Sequence, residues 1–118
     1  MPVKLLTDDM DFTPECERAL GEIFDRYDRD GDDALNEAEL QAFARFTNGS
    51  EFSTEELADI RTNLVCTDAG ALLKEGFLQL YHLQTAVGDD DETWRDLRKH
   101  GYDDCLQLRP DNTADRHV

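Results

Sequence analysis

The sequence predicts an all-α protein: two helix–loop–helix units, a short two-stranded ribbon between their loops, and one further helix after them. Three observations predict it. A twelve-residue acidic loop, Asp28 to Glu39, separates two stretches of helical periodicity. The same periodicity returns 37 residues later, counted from Leu35 to Leu72. A third amphipathic stretch runs from Asp91 to Lys99.

The first helix opens at Thr13-Pro14, an N-cap followed by proline at the first helical position, where the missing N–H costs nothing. Cys16, Ala19, Leu20, Ile23, Phe24 and Tyr27 then recur at helical spacing and form one apolar stripe. Past the loop, Leu40, Phe43, Ala44 and Thr47 continue the pattern with Phe46 nearby. Asn48-Gly49 reads as a stop.

Between these helices runs Asp28-Arg29-Asp30-Gly31-Asp32-Asp33-Ala34-Leu35-Asn36-Glu37-Ala38-Glu39, with carboxylates at positions one, three, five and twelve. That is the ligand layout of an EF-hand. Ca²⁺ wants six to eight oxygens at about 2.3–2.6 Å. Side chains at alternate positions of a tight turn aim Asp28, Asp30 and Asp32 at one point. The Ala34 carbonyl supplies a fourth direction, Asn36 reaches the ion directly or through water, and Glu39 closes the shell with both oxygens. Leu35 is the apolar anchor of the loop. The sixth position departs from the pattern: Asp33 stands where glycine usually allows positive φ, at a cost of about 1–2 kcal/mol. This is expected to weaken the site without abolishing it. The bland alternative is a solvated acidic turn that binds nothing. An Asp-x-Asp pair can also hold Mg²⁺ for phosphoryl or glycosyl transfer, but such pairs usually follow a buried strand. No strand-like run precedes Asp28, and no Gly-rich phosphate cradle occurs.

In the second unit Leu57, Ile60 and Leu64 repeat Leu20, Ile23 and Tyr27, while Phe77 and Leu80 repeat Leu40 and Phe43. Ser53 with Glu56 reads as a capping box. The aligned loop, Val65 to Gly76, has Val65 at its first position and Gly76 at its twelfth. Both indispensable carboxylates are missing, and Asp68 alone cannot replace them. This is a hidden hand, expected to keep the fold and bind no metal. Ala34-Leu35-Asn36 and Ala71-Leu72-Leu73 are expected to pair as an antiparallel ribbon, burying Leu35 and Leu72 for about 1.5–3 kcal/mol each. Phe77, Leu78, Leu80, Tyr81 and Leu83 fit a helix buried on more than one side. The run is too short, and too interrupted by Gln79, His82 and Gln84, to span a membrane.

The stretch from Asp91 to Lys99 begins acidic and ends in Arg98-Lys99, as the helix dipole favours. It carries Trp94 and Leu97 on one side, and Gly101-Tyr102 terminates it. Leu106 and Leu108 follow in an alternating stretch. Paired EF-hands present an apolar groove for an amphipathic helix. The expectation is that Trp94 and Leu97 fill it in cis; ordinary core packing is the alternative.

Cys16 to Phe24 (CERALGEIF), Leu35 to Leu40, Gly76-Phe77-Leu78, Glu92 to Arg98 (ETWRDLR) and Gly101-Tyr102-Asp103-Asp104 with Leu106 and Leu108 together resemble the first EF-hand module of the Miro (mitochondrial Rho) GTPases. The resemblance covers roughly residues 13–108. It implies an active hand, a hidden hand and a ligand-mimic helix, with calcium on Asp28, Asp30, Asp32 and Glu39 and recruitment of other proteins. No GTPase P-loop and no C-terminal membrane anchor are present, so nucleotide hydrolysis and mitochondrial tethering are not carried over.

At 118 residues and 39% hydrophobic content the chain suits one domain. The expected parts are a 1–12 arm, a 13–49 calcium hand, a 53–86 hidden hand, the helix and its following segment over 91–108, and a polar, disordered 109–118 tail. A net charge of −16 repels nucleic acid and anionic lipid and favours cations and basic partners. Asp8-Asp9 and Asp89-Asp90-Asp91-Glu92 have the wrong spacing for a chelating loop. Cys16, Cys66 and Cys105 lack zinc-ligand spacing, and Cys16 reads as a reduced core residue. His82, His100 and His117 receive no role. With no apolar leader, a cytoplasmic location is the default. The expected function is calcium binding, as a sensor or scaffold acting through unidentified protein partners and without catalysis. Mg²⁺ can share the loop at rest. The alternative is a metal-independent adaptor. A phosphotransferase would need a nucleophile with an adjacent base, which the sequence does not offer.

Overall fold

The computed structural model describes residues 3–88 and 90–108. The tail expected from Pro110 onward lies outside them. Among the described residues there are five helices and one two-stranded antiparallel sheet, 56% helical in all. In chain order these are α1 Pro14–Tyr27, β1 Ala34–Leu35, α2 Glu37–Asn48, α3 Thr54–Asn63, β2 Leu72–Leu73, α4 Lys74–Ala86 and α5 Asp90–Lys99.

Local chemistry sets the ends of these elements. The Thr13 hydroxyl accepts the Cys16 N–H at 3.3 Å, capping α1 just before Pro14. Asn36 and Glu39 form a capping box at the start of α2, and Ser53 and Glu56 form another on α3. Gly49 stops α2 at φ 81, a left-handed conformation that glycine adopts without a Cβ penalty. The helix expected from Asp91 begins one residue earlier.

The chain divides into two units, one formed by Gly21–Leu80 and the other by the chain before Gly21 and after Leu80. In the first unit Ala34 pairs with Leu73 and Leu35 with Leu72, in the expected direction and register. The ribbon is two residues wide rather than three, because Asn36 already caps α2. Leu35 and Leu72 are fully buried. Around them Phe77 meets Phe24 edge-on at 5.6 Å and Phe43 at 5.2 Å, and Tyr27 meets Phe43 at 5.4 Å. Such aromatic pairs add about 0.5–1.5 kcal/mol each beyond burial.

In the second unit Cys16, Leu97, Tyr102 and Leu106 are buried, with Trp94 and Leu5 nearly so. The N-terminal residues pack: the Thr13 N–H reaches the Leu5 carbonyl at 2.9 Å, Leu6 bridges to Phe12, and the Val3 N–H reaches the Asp104 carbonyl. Hydrogen bonds attach α5 to the end of α4. The Tyr81 hydroxyl donates to Asp96 at 2.8 Å, and the hydroxyls of Thr85 and Thr93 meet at 2.8 Å.

Two expectations are corrected here, and one residue left without a role is placed. Leu83, grouped with the buried face of α4, is exposed, because it lies two residues and so roughly 200° around the helix from Tyr81. The stretch after Tyr102 is not extended: Leu106 has φ 59 and is buried inside a turn that Asp103 caps through the Cys105 and Gln107 N–H groups. His100, given no role, is buried, with Nδ1 2.8 Å from the Asp96 carbonyl oxygen.

Candidate metal centre

The acidic loop leaves α1 at Tyr27 and enters β1 at Ala34, so its two ends are held by a helix and by the ribbon. Within it, Asp28 turns back on the chain. Its Oδ1 accepts the Asp32 N–H at 3.3 Å and its Oδ2 the Asp33 N–H at 2.9 Å. Asp32 Oδ1 accepts the Ala34 N–H at 3.1 Å. These bonds close the loop from inside and aim the side chains inward.

Two left-handed residues permit the turn. Gly31 has φ 70 and Asp33 has φ 63. The sequence reading placed positive φ at Asp33, and the chain adopts it, at a cost of about 1–2 kcal/mol relative to a right-handed residue. The Asp33–Asp28 hydrogen bond offsets part of that strain.

Glu39 reaches the loop from the first turn of α2. Its Oε2 accepts the Arg29 N–H at 2.9 Å, its Oε1 the Asn36 N–H at 3.0 Å, and its exposure is only 7%. Asn36 returns the bond, its Oδ1 accepting the Glu39 N–H at 2.9 Å. The sequence reading assigned Asn36 and Glu39 to the ion and missed this second job, although Asn-x-x-Glu ahead of an apolar run is a legible cap signal. The cap fixes the Glu39 rotamer before any cation arrives.

Asp28, Asp30, Asp32 and Glu39 each offer an oxygen, and these four atoms lie within 4.8 Å of one another. Ligands about 2.3–2.6 Å from one centre stand at most about 4.6–5.2 Å apart. The cluster therefore fits around a single ion, and it could hold a metal. Ala34, whose carbonyl is expected as a further ligand, lies in β1.

Electrostatics mark the same point. The Asp30 carboxyl is raised above its ordinary value, first by a hydrogen bond shared with the Asp32 carboxyl, then by desolvation and by Asp28. Asp32 is lowered, chiefly by the Ala34 N–H. Neighbouring carboxylates in one loop repel, and sharing a proton relieves part of that repulsion. A divalent cation would relieve more.

The second loop is built differently. The Thr67 hydroxyl accepts the Ala71 N–H at 3.0 Å, the Thr67 N–H donates to the Ala71 carbonyl at 2.8 Å, and Gly70 turns at φ 87. A Cβ on Gly76 would lie 2.4 Å from the Val65 carbonyl oxygen. The first and twelfth positions thus touch through backbone, where the first loop has carboxylates. Sequence alignment showed the ligands missing; only the structure shows the space filled.

Trp94 and Leu97 are both buried in the second unit, as expected of the apolar side of α5. The Arg98 guanidinium covers the Trp94 ring at 5.0 Å. Cys16 is a buried thiol whose pKa is pushed up to about 12, first by burial and then by Glu17. Among the described residues no helix is long and apolar enough to cross a membrane.

Residues 50–115 match the family model described as EF hand associated. That span is more than half of the chain, and it takes in the capped α3, the second loop, α4 and α5. The chain belongs to the EF hand associated family.

Proposed function

We propose that this protein binds one calcium ion in the Asp28–Glu39 loop and acts through protein contacts rather than by catalysis. The observation that carries the reading is the convergence of four carboxylate oxygens within 4.8 Å, with Glu39 already oriented by its cap. Asp28, Asp30 and Asp32 would each give one oxygen, Glu39 two, and Ala34 its carbonyl, with Asn36 or water completing the shell. Mg²⁺ would enter with fewer protein ligands and more water. The resemblance to the Miro module adds a ligand-mimic reading of α5 through Trp94 and Leu97. The buried Tyr81–Asp96 and Thr85–Thr93 bonds favour a fixed scaffold over a displaceable plug.

Calorimetric titration tests this. A micromolar site releases about 8 kcal/mol of binding free energy, and Glu39→Gln should remove most of it. No heat in the parent protein would end the calcium reading. Tryptophan emission and hydrogen exchange of α5 should be the same with and without calcium; a change would favour the switch.

A second reading, a metal-independent adaptor, draws on the strained Asp33 at φ 63. It would be favoured by partner binding that ignores both calcium and Glu39→Gln.

A further inference from the structure

The hydrogen bonding between the two loops does not end where the strands end. β1 and β2 contribute two residues each, yet the Lys74 N–H goes on to donate to the Asp33 carbonyl at 3.3 Å. Lys74 is the first residue of α4 and the tenth of the loop that lacks ligands. Asp33 is the left-handed residue of the acidic loop, at φ 63.

Asp33 is thereby held from two directions. Its N–H donates to Asp28 Oδ2 at 2.9 Å, within its own loop, and its carbonyl accepts from the other loop. The Ala34 N–H shares a peptide plane with that carbonyl and donates to Asp32 Oδ1 at 3.1 Å. One peptide plane therefore accepts a bond from the hidden hand and gives a bond to a carboxylate of the metal cluster. Backbone in a sparsely populated conformation persists only where its surroundings over-determine it. Here part of that determination comes from outside the loop.

The Lys74 side chain lies against α1. Its Nζ stands 3.0 Å from Asp25 Oδ1 and 5.7 Å from the centre of the Phe24 ring. A Cβ on Gly21 would lie 3.4 Å from its Cε. Gly21, Phe24 and Asp25 are three and four residues apart, so the stem crosses one face of that helix. Lys74 thus ties the start of α4 to the helix that leads into the acidic loop. Through its backbone it is tied to the strained residue within the loop.

We infer that Lys74 is a positioning residue for the metal loop. It carries the hidden hand's hold on Asp33, and through Asp33 it sets how tightly the carboxylates close on calcium. The inference deepens the calcium reading and rests on it. Charge and position act here with opposite signs, which makes the role separable. A cation in the same unit as the carboxylates lowers their attraction for Ca²⁺, so removing its charge would tighten binding. Removing a brace would weaken it.

The test is calorimetric titration of the full chain with Ca²⁺ at physiological salt, for the parent, Lys74→Ala, Lys74→Met and Lys74→Arg. Urea melts and amide hydrogen exchange of the metal-free proteins establish that each variant folds and report on the residue-74 N–H. Calcium affinity is expected to fall about threefold in Lys74→Ala, to fall also in Lys74→Met, and to be restored in Lys74→Arg. Exchange at residue 74 should quicken in the first two and stay slow in the third. Affinity equal to the parent's in Lys74→Ala and Lys74→Met, with a lower urea midpoint, would reduce Lys74 to a structural tie and overturn the proposal. Tighter binding would overturn it in favour of simple charge. Calcium uptake that ignores residue 74 ends this inference alone, whereas a parent that takes up no calcium ends the calcium reading and the inference with it.

Discussion

Gly76 and Val65 are in backbone contact: a Cβ at Gly76 would stand 2.4 Å from the Val65 carbonyl oxygen and 2.7 Å from a Leu72 methyl carbon. That oxygen cannot yield, because it also accepts the Leu73 N–H at 3.1 Å beside the ribbon. In an ordinary helix Gly→Ala stabilises by roughly 0.5–1 kcal/mol. Here the sign should reverse. Gly76→Ala is expected to destabilise by about 2 kcal/mol, seen as a lower urea midpoint at unchanged slope. Gly76→Glu should not create a second ion site, and calorimetric stoichiometry should stay at one or below.

Asp33 holds φ 63 beside a crowded set of carboxylates. Asp33→Gly removes both the steric cost and one negative charge, against a smaller entropic loss on folding. The metal-free protein should melt several degrees higher, in line with a gain of about 1 kcal/mol. A lower melting temperature would show that the added backbone entropy of glycine in the unfolded chain outweighs the strain.

Cys16 gives a pH dependence with a definite sign. Its thiol pKa is pushed from 9.0 to about 12 in the folded chain. The folded state therefore holds the proton more tightly than the unfolded state. The stabilisation is complete below pH 9 and is lost as pH rises toward 12, at about 1.4 kcal/mol per unit. Urea denaturation at stepped alkaline pH should show this slope, and Cys16→Ala should flatten it. Cys16 should also resist alkylation in the native protein while exposed Cys105 reacts.

Tyr81 donates to the buried Asp96 carboxylate at 2.8 Å. Tyr81→Phe leaves that carboxylate with Arg95, at 2.9 Å, as its charged partner. The expected loss is about 1–2 kcal/mol. Trp94 emission should shift red in the variant if this bond is what holds α5 in place, and an unshifted spectrum would assign that role to apolar packing.

The readable part of this protein was short in range. The four carboxylates, the Ser53–Glu56 capping box, the Gly49 stop and the Leu35–Leu72 pairing all follow from residues a few positions apart, or from one repeat. Spacing alone aims such side chains, because helix and turn geometry convert sequence interval directly into direction. Asp33 was legible for the same reason: the loop demands positive φ wherever its sixth residue falls.

Tertiary structure decided whatever depended on chain segments distant in sequence. That His100 is buried, and that the Val65 backbone leaves Gly76 no room for a side chain, are outcomes of packing. Each depends on which atoms arrive from elsewhere, and no periodicity within a single element encodes that.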